Sequence, residues 1–155
     1  MVNIDAGFAA GCGSSGVVIR DSRRDFIAAS MNFSPSVLDA QMAEAYALKE
    51  GLHMVEHIGC RNFIMHSYCL EVVEMMKDGG ISASAAAPLL EDCYNIWMDF
   101  PTTPTMEHCH REANQVAHEL AWQAFVSKVF CMWVDLRPSF IFPILSNNVT
   151  MLSDE

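Results

Sequence analysis

Two acidic residues stand where an acid is costly. Glu44 lies four positions before Leu48, the start of an apolar stripe of Leu48, Gly51, Leu52, Val55 and Ile58 at helical spacing. That places it on the buried face of a helix, where a carboxylate must be paired or must bind a cation. The alternative is a first-turn acid that complements the helix dipole. Asp5 closes the run Val2-Asn3-Ile4, the end of an expected central strand, and poses the same choice between a special role and an ordinary cap or turn. Three other patterns carry less chemistry. His108-Cys109-His110 is too compressed for a zinc knuckle. A thiol hydrolase drawn from Cys109 with His108 or His118 would place its nucleophile inside an expected strand. Gly11-Cys12-Gly13-Ser14-Ser15-Gly16 spells G-x-G-x-x-G, but strand-like Val17-Val18-Ile19 follows where a dinucleotide fold needs a helix, so the glycines read as a flexible turn.

The elements that must position Asp5 and Glu44 follow from periodicity and punctuation. Strands are expected over 2–5, 16–20 and 26–33, the last two joined by the polar turn 21–25 as an antiparallel hairpin. A long helix starts after the cap Asp39 and stops at Gly59. A strand over 61–66 and a short helix over 70–77, ended by Gly79-Gly80, come next. Pro88 opens a helix to Phe100 with Leu89, Leu90, Cys93, Ile96 and Trp97 inward. The loop at Pro101 and Pro104, a strand over 105–109 and a helix over 113–130 complete the order β-β-β-α-β-α-α-β-α. Three consecutive strands followed by strand–helix alternation predict an α/β fold with a mixed sheet covered by helices on both faces.

The 155 residues amount to one domain, expected over 1–130, with an irregular tail over 131–155. Apolar residues make up 52% of the chain, enough for a core. No signal peptide or membrane span is recognisable, so an intracellular protein, cytoplasmic or nuclear, is expected. The first strand begins at the first residue, which suggests that part of the strand and its lead-in is missing. The six cysteines lack C-x-x-C spacing and read as reduced, buried thiols, and the eleven methionines as core filler. Nine basic residues against nineteen acidic ones are a poor balance for a chain living on phosphate contacts. Local clusters such as Arg20, Arg23 and Arg24 leave weak nucleic-acid binding open.

Val2-Asn3-Ile4-Asp5, Ala43-Glu44-Ala45 and the stretch His108 to Ala121 together resemble the ribonuclease H-like domain of plants, often found as the tail of retrotransposon polyproteins behind a reverse transcriptase. The most specific part is Arg111-Glu112-Ala113-Asn114 with Ala117-His118-x-Leu120-Ala121; Pro138-Ser139-Phe140 and Asn147-Asn148-Val149-Thr150 are also similar. The resemblance implies a five-stranded ribonuclease H-like fold in the order 3-2-1-4-5. It implies hydrolysis of RNA in RNA–DNA hybrids with Mg²⁺ or Mn²⁺ held by carboxylates. Asp5 and Glu44 match the family's first two carboxylates, His118 the fourth, and His108 the loop histidine near the attacking water. Asn114 matches a substrate-contacting position. Tyr68 falls where a third catalytic Asp is expected, and a neutral phenol is a poor Mg²⁺ ligand. Impaired catalysis is therefore expected, with an inactive binding or interaction module as the alternative.

Overall fold

The structure is a computed structural model and describes residues 1–79 and 83–145. Asn147 to Thr150 and Gly80, both used in the sequence reading, lie outside the described residues.

β1 (Val2–Ala9) and β2 (Cys12–Arg20) form an antiparallel hairpin closed by Ala10 and Gly11. Both turn residues have positive φ, 51° and 72°, the twist that two-residue hairpins favour. The expected flexible turn over the glycines is therefore corrected: Cys12 to Gly16 are strand, and no helix follows them. Their smallness serves packing. A Cβ on Gly13 would sit 2.8 Å from Val37 Cγ2, and one on Gly16 would sit 2.1 Å from the carbonyl oxygen of Ala117. The next turn is tied by Asp21, whose Oδ1 accepts from the backbone N–H of Arg23 and of Asp25, and β3 (Phe26–Ser34) returns along β2.

The Asp39 side chain caps α1 (Ala40–His57) by accepting from Met42 N at 2.8 Å, and Gly59 at φ 72° follows its end. β4 (Ile64–Ser67), α2 (Leu70–Lys77), α3 (Ala87–Asp99) and β5 (Thr105–His108) come next. A 3₁₀ turn (Arg111–Asn114) leads into α4 (Gln115–Ser127). Ala113, expected on the buried helix face, is exposed in that turn.

The sheet has six strands in the order β5-β4-β1-β2-β3-β6, which corrects the expected five. The sixth, β6 (Cys131–Val134), arises in the segment read as irregular tail and pairs antiparallel with β3. Lys128, left-handed at φ 56°, ends α4 and turns the chain back to the sheet. Cys131 and Trp133 face the core while Met132 and Val134 face out, but all four residues are apolar, so no alternation betrays the strand.

Each sheet face carries its own core. Val2, Ile4, Val17 and Ile19 pack against α1, α2 and α3. Val18, Ala29 and Met31 pack against α4 and Ile141. β1, central and covered on both faces, is buried from Val2 to Asp5. It runs parallel to β4, which runs parallel to β5, with Ile4 beside Ser67 and Ser67 beside His108. Asp5, Tyr68 and Cys109 thus follow at the same level, where β4 and β5 leave the sheet and β1 continues along β2. Crevices beyond the carboxyl ends of parallel strands are the usual binding places in such sheets. No described helix is long and apolar enough to cross a membrane.

The close approach at Gly16 separates two kinds of glycine. Gly16→Ala drives a methyl group into α4 backbone and is expected to destabilise the fold by about 3 kcal/mol or more. Gly11→Ala meets open space and should cost only about 1 kcal/mol, for its left-handed φ. Urea unfolding of both variants measures the difference.

Candidate functional site

Asp5, Ala6, Glu44, Tyr68, Arg111, Asn114 and His118 line a cleft of about 210 Å³ at this end of the sheet. Five residues chosen from the sequence, Asp5, Glu44, Tyr68, Asn114 and His118, meet there. His108 is not among the lining residues. Its Nε2 lies 3.0 Å from the Tyr68 carbonyl oxygen at the end of β4.

Polar contacts between β1 and α4 set the floor. Asn114 Nδ2 donates to the Ile4 carbonyl at 2.9 Å, and Asn114 Oδ1 accepts from Asn3 Nδ2 at 3.1 Å. Arg20 donates to Asn3 Oδ1 at 3.4 Å, extending the buried chain beneath the sheet. One helical turn beyond Asn114, His118 Nδ1 sits 2.8 Å from Asp5 Oδ2, with the imidazole largely in solvent and the carboxylate only 9% exposed. The sequence reading missed Asn3 and Arg111 as parts of this site. Asn3 is a polar residue between Val2 and Ile4 whose partner lies 111 positions away. Arg111 lies with its guanidinium 5.3 Å from the centre of the Tyr68 ring, a cation over an aromatic face.

The two acids are held in different ways. Burial pushes Asp5 above the usual carboxylate range, while the His118 hydrogen bond, the His118 charge and Arg111 pull the other way. Glu44 has no such help. Its Oε2 is buried without a hydrogen-bond partner, and burial together with the Asp5 charge pushes its pKa up to about 8. A cation bound between this buried, unpaired carboxylate oxygen and the second carboxylate would offset their repulsion.

That observation fits one divalent ion. Mg²⁺ is commonly held by one or two carboxylates, with waters and substrate phosphates completing its shell, and Asp5 and Glu44 are such a pair. A second ion fits poorly. Asp5 Oδ2 is engaged by His118, and the residue at the β4 end is Tyr68, 43% exposed and covered by Arg111. Among the described residues no three His, Cys, Asp or Glu side chains form a group that could hold a metal by themselves.

The competing thiol chemistry is disfavoured. Burial and the nearby Asp5 charge push Cys109 up to about 11, so it stays a thiol at neutral pH. All six cysteines are free, but only Cys93 and Cys109 are buried, which corrects the expectation of buried thiols throughout.

Glu44 makes a pH prediction for metal-free protein. Its folded pKa of about 8 exceeds the unfolded value of 4.5, so the folded state binds the extra proton between these values. Stability is therefore expected to fall as pH rises from about 4.5 through about 8, by on the order of a few kcal/mol, and to level off above. Glu44→Gln should remove this part of the slope, so the variant gains on the parent as pH rises. Chemical denaturation with a chelator present, at pH 5, 7 and 9, checks this; parallel curves would contradict it.

The fold and site can be set beside known proteins. No curated protein matches the chain in sequence. Several solved structures share the fold, and three illustrate it. RNase H1 from the halophilic archaeon Halobacterium salinarum NRC-1 superposes with a TM-score of 0.72 at 14% identity, over 83% of this chain and 97% of its own. LC11-RNase H1, solved in complex with an RNA/DNA hybrid, gives 0.74 at 19%, over 82% and 96%. The N-terminal RNase H domain of rv2228c from Mycobacterium tuberculosis, solved as a fusion with maltose binding protein, gives 0.73 at 21%, over 81% and 94%. The model of the reverse transcriptase-like family matches residues 3–124, which span β1 through most of α4 and every residue lining the cleft. The chain is therefore a member of the reverse transcriptase-like family, with a ribonuclease H-like fold.

Proposed function

We propose that this domain binds RNA–DNA hybrid at the Asp5–Glu44 cleft with one divalent cation, Mg²⁺ or Mn²⁺, and hydrolyses the RNA strand inefficiently. The observation that carries the reading is the buried, unpartnered Oε2 of Glu44 beside Asp5. The hybrid bound by LC11-RNase H1, a protein of the same fold, supports the substrate class. The plant retrotransposon setting, an upstream reverse transcriptase and an intracellular location belong to the same proposal and rest on the signature around Arg111 to Ala121.

A cation held by Asp5 and Glu44 would offset their repulsion, polarise a phosphate oxygen and lower the pKa of bound water. The chain's own groups do the rest. Asn114 locks the end of β1 to α4, so Asp5 keeps its place. His118 orients Asp5 through Oδ2. It stands in the fourth ligand position, and an imidazole there suits Mn²⁺ better than Mg²⁺. Arg111 supplies positive charge at the cleft of a chain with a net charge of −10, where a phosphate needs it most. His108, tied to the Tyr68 carbonyl, fixes the β4 end that carries Tyr68. Impairment follows from Tyr68, because a phenol in place of a carboxylate leaves the ion with two carboxylates.

One observation favours a second reading, an inactive binding module. The Arg111–Tyr68 stack occupies the place of the third acid, and such a pair suits contact with a nucleotide chain more than with an ion.

Cleavage of a labelled hybrid in Mg²⁺ and in Mn²⁺ decides between them. The parent is expected to cleave slowly, faster in Mn²⁺ than in Mg²⁺, and Asp5→Asn to abolish cleavage. Tyr68→Asp should raise the Mg²⁺ rate about tenfold or more, a gain of roughly 1.4 kcal/mol in transition-state stabilisation. A folded Tyr68→Asp protein that binds hybrid without cutting it would leave the binding module standing.

A further inference from the structure

Beside the cleft lies a second hollow whose chemistry is different. Ala6, Gly7, Phe8, Ser14, Trp122 and Phe125 are among the residues enclosing about 190 Å³ between the β1–β2 hairpin and α4. Trp122 is 56% exposed and Phe8 39%, so both rings keep surface open to solvent. Ser14 is only 3% exposed, and its Oγ is buried without a hydrogen-bond partner. Room for that hydroxyl exists because position 7 is glycine: a Cβ there would stand 2.6 Å from Ser14 Oγ. An apolar, aromatic-walled hollow with one unsatisfied polar atom calls for a flat ring carrying a hydrogen-bonding edge.

We infer that this hollow binds an unpaired nucleobase through Trp122 stacking and a Ser14 hydrogen bond. The volume is of the order that one base needs. Ala6 and His118 line both this hollow and the Asp5–Glu44 cleft, so a strand in the cleft reaches it directly. Every base offers a π face, so recognition by stacking tolerates sequence. The hydroxyl can donate or accept, so Ser14 meets either kind of base edge. The hollow stands on its own geometry; only the strand that presents the base rests on the ribonuclease H reading.

Titration of the full chain with adenosine, followed by NMR, tests the inference without needing metal, phosphate or catalysis. Adenosine is expected to bind saturably. Trp122→Leu should weaken it about fivefold or more, as the loss of a base–aromatic stack implies. Ser14→Ala, which leaves the walls intact, should weaken it by a smaller factor. Asp5→Asn should leave adenosine affinity unchanged while abolishing hybrid cleavage, so failure of the cleft reading and failure of this one are distinguishable. No binding by the parent at millimolar adenosine overturns the inference. So does unchanged affinity in a folded Trp122→Leu protein, or equally tight binding of p-cresol, a stand-in for a tyrosine from a protein partner.

Discussion

The structure depends on how closely α4 can approach β2. Gly16 lies opposite Asp5 in the hairpin register, and the backbone of Ala117 and Ala121 occupies the space its side chain would need. The small residues Ala117, Ala121 and Ala124 keep that contact along the helix, all of them buried. Only at this distance can Asn114 donate to the Ile4 carbonyl and His118 reach Asp5. A larger residue at position 16 would push the helix away and strand two buried polar groups, Asn3 and the Ile4 carbonyl, each costly to leave unpaired.

The same closeness fixes the electrostatic problem at the site. α4 covers Asp5 from one side, and α1 brings Glu44 from the other, so two acids meet with little water. The protein answers for Asp5 with an imidazole and for Glu44 with nothing it owns, leaving Glu44 to take a proton until about pH 8. A third acid at position 68 would deepen the repulsion and tie the fold more tightly to a bound ion. Tyr68 avoids it: the side chain brings no carboxylate, lies half in solvent, and has the Arg111 guanidinium over its ring. A side chain without a carboxylate at this place thus makes the metal-free domain easier to fold than an acid would.

This balance explains which parts of the molecule were readable in its sequence. α1 was plain, because Asp39, the Leu48–Val55 stripe and Gly59 agree at every level. Glu44 stood out for the same reason: a charge breaking a regular apolar pattern is visible locally. Asn3 and Arg111 were not, since each acquires its meaning from a partner distant in the chain or from the tilt of a loop. The glycine segment misled in the opposite direction. Gly13 and Gly16 look like flexibility in one dimension and are close packing in three. β6 escaped because four apolar residues carry no period, and its pairing depends on the left-handed turn at Lys128, a residue with no special liking for that conformation.

The two hollows are consequences of one helix face. His118, Trp122 and Phe125 follow at spacings of four and three, so they form a single stripe down α4, with Asn114 in the turn just before it. The turn supplies an amide that holds β1; the stripe begins with an imidazole that holds Asp5 and ends in two aromatic rings beside the hairpin. Polar chemistry and apolar surface are therefore ordered along one line, with His118 at the boundary. A chain of alternating charged phosphates and flat bases has the same two-part character, and it would meet the charged end and the stacking end of this stripe together. An isolated cation would have no reason to need Trp122.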